Sequence, residues 1–528
     1  MTAPAPRTAP APRTAARRGR DRRARVLPAR PGARPGPDRP TAAVIGGGIA
    51  GLAAATALAE RGVKVTLYER ETYLGGRAGG WPTRLRDGST VTMSRGFHAF
   101  FRQYYNLRGL LRRTDPALAN LTALPDYPLV HADGLRDSFR HVPRTPPWSA
   151  LGFVALSPSF RLRDLRAMNP VPALPLLDVR VPEVYHRLDD TSAHDFLEAI
   201  GFPEPARHLA FEVFSRSFFA DPRQLSAAEM ALMFHIYFLG SAEGLLFDVP
   251  RSPYPAALWD PLAGYLERHE AEVRTGCPVE HVVPARARAF GFEVAGDGEE
   301  RHYDAVVLAL DAVGLRSLVA RSERLGDRPW RERVAALRPA PPFLVTRLWL
   351  DRPVAPERPG FLGTSGFGGL DNISVLNRWE DEAARWAART GGSVVELHAY
   401  AVDPRAPRTA QEQQLRRQLH RVYPETRAAG VVDVRHEWRE DCPLFPVGGY
   451  TGRPTVRTCD PRLVVAGDFV RSDLPVALME RAATTGFQAA NALLEGWGLP
   501  GQTLWTVPDR GRTAVLRKAA AWAGDRAP

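Results

Sequence analysis

The chain has 528 residues, 44% of them apolar and 24% charged, which suits two or three globular domains and excludes a fibrous or low-complexity protein. Its net charge of +12 gathers in residues 1–40, which hold 11 Arg against 2 Asp, so the body is nearly neutral and suggests no specific nucleic-acid partner. The three cysteines (Cys277, Cys442, Cys459) have no C-x-x-C spacing, which excludes a disulfide framework or zinc site and implies no metal and a reducing, cytoplasmic setting.

Residues 1–40, rich in Pro, Ala and Arg, are expected to form a disordered basic tail. Residues 42–45 then read as a buried parallel strand leading into Gly46-Gly47-Gly48-Ile49-Ala50-Gly51. With a helix over 49–61 and a strand over 63–68, Gly46, Gly48 and Gly51 complete the G-x-G-x-x-G turn of a dinucleotide-binding βαβ unit. Amides around Ala50, at the helix start, face the pyrophosphate. Glu69 falls 18 residues after Gly51, where a carboxylate accepts ribose hydroxyls, which points to a dinucleotide without a 2′-phosphate. Arg70 follows, and Gly75-Gly76-Arg77 forms a second turn with a cation able to meet phosphate or flavin charge.

Strands over 83–86 and 89–92 about Asp87-Gly88 predict a hairpin, and residues 95–101 lead into a helix over 104–113. Residues 114–255 alternate helical stretches with proline-rich connections. Most of their large apolar side chains, such as Leu151, Phe153, Leu156, Phe234 and Phe238, are expected in the core. Glu229, His235 and Glu243 interrupt the most apolar piece, 229–247, which is therefore no membrane span. A helix over 258–268 precedes strands at 272–274, 279–283, 290–294 and 301–309. Strands at 343–350, 373–377 and 394–401 make a second sheet, followed by a helix over 411–422. The strand 463–466 ends in Gly467-Asp468, and a helix from 478 to 495 begins near Met479. Asp468 is placed to bond ribityl hydroxyls, and the helix start presents amides to a flavin carbonyl.

Together, Gly46–Gly51, Glu69–Arg77, Val279 and the 467–486 segment resemble the FAD-binding frame of the amine oxidase and carotenoid desaturase superfamily. The resemblance implies that the backbone of Val279 meets the adenine. Residues 96–107, GFHAFFRQYYNL, are similar to the G-L-H-x-F-F-G-x-Y-x-N motif of plant-type carotene desaturases. Their wording most resembles the isorenieratene-synthase type, carotene desaturase/methyltransferases that aromatise β-carotene rings. Arg102 and Arg481 stand where the wider family carries glycine.

The implied fold is α/β: a Rossmann-like FAD-binding domain (41–105, 256–320 and 441–500) interleaved with a mixed α+β substrate and membrane-docking domain (106–255 and 321–440), with 501–528 as a C-terminal tail. Amine oxidases of this frame typically use a mid-chain lysine; the only lysines here are Lys64 and Lys518, neither placed to serve. The remaining expectation is FAD-dependent oxidation of an apolar carotenoid, most simply ring aromatisation with methyl migration. A linear carotene desaturase and a redox-neutral isomerase are the alternatives. His98 is the candidate catalytic residue, for taking a proton or positioning the flavin. A long hydrocarbon gains roughly 0.8 kcal/mol per buried CH₂, so the enzyme is expected at the membrane periphery, through 230–247 and 513–523.

Overall fold

The computed structural model describes residues 20–524, apart from 34, 161–162, 164–165, 167, 204–205, 207–218 and 286–290. Two sheets organise the chain. The first has five parallel strands in the order Glu272–Arg274, Lys64–Tyr68, Thr41–Ile45, Ala305–Leu308, Leu463–Val465. Their near-continuous apolar runs suit a parallel sheet covered on both faces. One face carries the helices Ile49–Ala59 and Leu478–Gly496, and the other packs Val282, Phe292, Leu315 and Trp330. The strand order reverses between Thr41–Ile45 and Ala305–Leu308, the switch point where open α/β sheets open a ligand crevice beyond the strand ends.

The second sheet has seven strands, ordered Val431–Arg439, Phe343–Leu350, Ser393–Ala399, Asn372–Val375, Phe361–Ser365, Leu129–His131, Arg136–Asp137. Alternation divides its faces: Leu344, Leu348, Val395 and Leu397 pack under the helix Arg408–Val422, while Glu396 and His398 lie on the other face. The hairpin of Gly80–Arg84 and Thr90–Ser94 packs against Trp349 and Trp386 of this unit.

Several expectations change. Residues 1–19 lie outside the described residues, but 20–40 are not a free tail: Arg25–Leu27 pairs antiparallel with Leu504–Thr506, and Asp21 bonds Arg512 at 2.6 Å. For the same reason 501–524 is not a loose tail; its helix Ala514–Gly524 packs on the Leu174–Asp178 turn. Leu107, Leu110 and Leu118 belong to the core of the first sheet, as do Trp330 and Val334. These side chains pack with the first sheet although they lie beyond 105 and 320, where its segments are expected to end. The segment 230–247 is interior: Met230, Leu232, Ile236 and Phe238 are all at most 5% exposed, so it offers no docking surface. Leu151 and Leu156, expected in the core, are 57% and 58% exposed.

The two helices over the first sheet cross at a glycine. A Cβ on Gly486 would lie 2.2 Å from the carbonyl oxygen of Ala50, and the backbone on both sides is held by the sheet. Gly486→Ala should therefore push the helix ends apart and cost about 1–3 kcal/mol, with weakened FAD retention, measured by denaturant unfolding and by flavin absorbance.

Candidate active site

The strand ends of the first sheet open into one cavity of about 530 Å³. It is lined at one end by Gly46, Gly48, Ala50, Glu69, Arg70, Gly75, Gly76, Arg77, Val279, Gly467, Asp468 and Met479. Thus twelve of the thirteen cofactor residues expected from sequence meet in one place, although about 400 positions separate the first from the last. Gly51 does not line the cavity. A Cβ there would stand 1.8 Å from the Gly46 carbonyl oxygen, so its role is to let the helix start beneath the turn.

The two glycine turns are laced together. Gly75 N–H donates to the Gly47 carbonyl at 2.9 Å, and Gly48 bridges Gly75 in parallel. Gly75 has φ +95° and sits against Trp259, whose Nε1–H donates to the Ala78 carbonyl at 2.6 Å. A side chain there would meet both strain and the indole. Glu69 accepts from Gly47 N–H at 2.7 Å and from Glu71 N–H at 2.9 Å. Burial raises its pKa against those bonds. The helix Ile49–Ala59 has no side-chain cap at its N-terminus, so its leading amides and dipole face the cavity as an anion site.

At the far end of the crevice Arg77 pairs with Asp468 at 2.7 Å. Burial opposes the Arg77 charge, but Asp468 outweighs it and raises the guanidinium pKa. The helix Leu478–Gly496 likewise lacks a side-chain cap, and Leu478 holds φ +53°. Strain of that kind collects where the surroundings dictate the backbone. These features fit FAD: uncapped amides for the pyrophosphate, a buried acid for the ribose, and Arg77, Asp468 and a helix start for the flavin.

Arg481, on that helix, is turned away from the cavity. It is 2% exposed, bonds Glu229 at 2.8 Å and donates to the carbonyls of Val476 and Asp468. Arg102 likewise pairs with Asp248 at 3.1 Å. Neither replacement of glycine fills the site. Glu480 caps the helix Tyr105–Leu111 by accepting from the amides of Asn106 and Leu107 at 2.8 and 2.9 Å; burial pushes its pKa up to about 8.

Beyond the crevice the same cavity becomes an aromatic chamber, lined by Phe101, Tyr127, Phe139, Phe219, Tyr237, Phe247 and Phe361 among others. Such a surface suits an apolar polyene and excludes water. His98 lies at its wall. Its Nδ1 meets the Gly96 carbonyl at 2.9 Å; a carbonyl only accepts, so Nδ1 carries the proton and Nε2 is the free base. Burial pushes its pKa down to about 4, so it is neutral.

The chamber also has a polar wall, which no motif in the sequence marks. Asp371, Asn372, His398 and Tyr400 also line it. His398 Nε2 lies 2.9 Å from Glu396, and its Nδ1 lies 2.8 Å from the Tyr400 hydroxyl. Arg347 donates twice to the other oxygen of Glu396, at 2.9 and 2.7 Å. The alternation V-E-L-H-A-Y over 395–400, polar at every second place in an apolar strand, was a signal that could have found them.

The family model described as flavin containing amine oxidoreductase matches residues 49–494. A carotenoid phi-ring synthase from Streptomyces griseus is 70% identical over 508 residues, covering 96% of this chain and 98% of that protein. A second carotenoid phi-ring synthase, from Chlorobaculum tepidum, is 29% identical over 89% of this chain and 91% of that one. Among solved structures, cyclohexylamine oxidase from Brevibacterium oxydans superposes with a TM-score of 0.64 at 16% identity, covering 87% of this chain and 99% of that one. The chain belongs to the flavin-containing amine oxidoreductase family and is an FAD-dependent oxidoreductase of its carotenoid-desaturase-like branch.

Proposed function

We propose that this enzyme aromatises a β-type end ring of a carotenoid, with migration of one methyl group, to give a φ ring. The observation that carries the reading is the 70% identity across nearly the whole chain to a carotenoid phi-ring synthase. The continuous cavity, nucleotide crevice at one end and aromatic chamber at the other, supports it.

FAD bound in the crevice supplies a two-electron hydride acceptor next to the chamber. The residues proposed to hold it are those that line the crevice, with Glu69 at the ribose, Val279 at the adenine, and Arg77, Asp468 and Met479 at the flavin end. The Phe and Tyr side chains of the chamber bury the polyene, exclude water from an electron-poor ring, and offer π faces to developing positive charge. Each oxidation also releases a proton, so the chamber requires a group to receive it. Expression in a host that accumulates β-carotene, followed by pigment analysis, tests the reading. Products with aromatic rings support it, whereas longer-conjugated linear carotenes, a changed cis/trans composition alone or unchanged pigment would reject it.

We also propose a docking face for the membrane that stores such a substrate. Among the described residues no helix is long and apolar enough to cross a bilayer. The helix Trp148–Leu156, however, exposes Trp148 (63%), Leu151 and Leu156 on one side. Arg140 and Arg144, both exposed, precede it. Behind it, Phe153 stacks on Phe139 with centroids 4.9 Å apart and packs on Phe238 at 5.6 Å, and both of these line the chamber. The apolar face therefore covers the chamber end, and its Trp and Arg suit an anionic lipid interface. Replacing Trp148, Leu151 and Leu156 together by Ser should reduce co-sedimentation with anionic vesicles at least tenfold and leave flavin absorbance unchanged. Undiminished binding would remove this face from the account.

A further inference from the structure

The polar groups of the chamber wall form one directed chain. The two-residue period of Ser393–Ala399 puts Glu396 and His398 on the cavity side, and Tyr400 continues that row. Register sets their neighbours: Arg347 stands opposite Glu396, and Asn372 opposite His398. Hydrogen-bond directions follow from chemistry. Burial opposes the charge on Glu396, but Arg347 and His398 outweigh it and hold its pKa at about 2. An anionic carboxylate only accepts, so His398 Nε2 directs its proton to Glu396 at 2.9 Å, the shorter of its two contacts; the Phe97 amide lies 3.3 Å from the same nitrogen. The Nδ1 lone pair is then free to receive the Tyr400 O–H at 2.8 Å. Asn372 completes the pattern by donating from Nδ2 to the Tyr400 oxygen at 3.1 Å. Its own Oδ1 has no hydrogen-bond partner among the described residues, although Asn372 is 4% exposed and lines the chamber.

We propose that Tyr400, backed by His398 and Glu396, is the group that takes the proton lost from the carotenoid ring. The proposal rests on the ring-aromatising reading above. In the step, the electrons of a ring C–H bond adjacent to the cationic carbon become the new C=C bond. The freed proton goes to the Tyr400 oxygen as the hydroxyl's own proton passes to His398 Nδ1. No electrons are gained or lost in this proton transfer, since the hydride would already have left the ring for a bound flavin. The product side is an imidazolium held against the Glu396 carboxylate at 2.9 Å, which is the logic by which an acid–histidine pair activates a hydroxyl. The orphaned Asn372 oxygen offers a fixed negative dipole to the positive ring. His98 has no carboxylate behind it: its Nδ1–H is held by the neutral Gly96 carbonyl at 2.9 Å, with the Tyr254 hydroxyl 3.5 Å from the same nitrogen.

The test uses FAD-loaded enzyme with β-carotene in vesicles, and measures bound-flavin absorbance, kcat and KM separately, and the solvent deuterium effect. Tyr400→Phe removes one oxygen and keeps the ring. It should retain flavin and KM, lose about a hundredfold in kcat, the scale of one positioned acid–base group, and lose the solvent isotope effect. His398→Gln, a second and independent variant, should show the same pattern, and His98→Gln should lose less than tenfold. Loaded Tyr400→Phe or His398→Gln working within twofold of the unsubstituted enzyme overturns the proposal, as does a hundredfold loss confined to His98→Gln. If the unsubstituted enzyme makes no aromatic rings, the functional reading fails with it, so the two failures are told apart.

Discussion

Asp468→Ala yields a colourless protein. Asp468 stands at the end of Leu463–Val465, lines the crevice and holds Arg77 at 2.7 Å. Alanine removes the acceptor proposed for the ribityl hydroxyls and leaves the Arg77 guanidinium without its carboxylate. A hydrogen bond to a charged group is worth about 1.5–3 kcal/mol, so losing the carboxylate acceptor weakens FAD binding by about ten- to a hundredfold. The ratio of flavin to protein absorbance after purification, and titration with added FAD, measure this. A variant that keeps stoichiometric flavin would remove Asp468 from the cofactor site.

Glu229→Ala should be the most destabilising single change outside the cavity. Glu229 is 1% exposed and lies between two buried arginines, 2.8 Å from Arg481 and 2.5 Å from Arg453. Tyr185 donates to it at 3.0 Å and stacks on Tyr450 at 3.8 Å. Removing the carboxylate strands two guanidiniums in a packed interior, at a cost of about 3–5 kcal/mol, measured by denaturant unfolding. Combining it with Arg481→Met should recover part of the loss, because one uncompensated charge goes with its partner. The same cluster sets a pH dependence. Burial opposes ionisation of Glu229, but Arg481 and then Arg453 outweigh it and depress its pKa. Its contribution is therefore present above the unfolded carboxylate pKa, about 4.3, and is lost as pH falls through the folded value. Glu229→Ala should flatten that acid limb.

The crevice was legible because its signals are local. Glycine spacing, a four-residue apolar run and an acid at the next strand end lie within some thirty positions, and backbone sterics permit few readings of them. The Gly467-Asp468 turn was legible by the same means. What escaped depends on contacts that a linear pattern does not carry. Arg25–Leu27 becomes a strand only because Leu504–Thr506 lies beside it. The run 230–247 and the helix Trp148–Leu156 are both apolar, and composition does not say which of them the fold leaves outside. Arg481 could face the flavin or Glu229; only the placement of a buried carboxylate on a distant helix decides between them. The wall of Glu396, His398 and Tyr400 was written in a strand alternation, but its meaning required knowing which face of that strand the cavity occupies.

The central claim is that carotenoid oxidation is coupled to the flavin in this cavity. Anaerobic mixing of the FAD-loaded enzyme with β-carotene in vesicles, following flavin absorbance while quenched samples are analysed for pigment, tests it directly. One flavin should bleach for each pair of hydrogens lost from the carotenoid, with aromatic-ringed product after repeated turnover in the presence of an electron acceptor. Pigment that changes while every flavin stays oxidised, with no hydrogen lost, would contradict it.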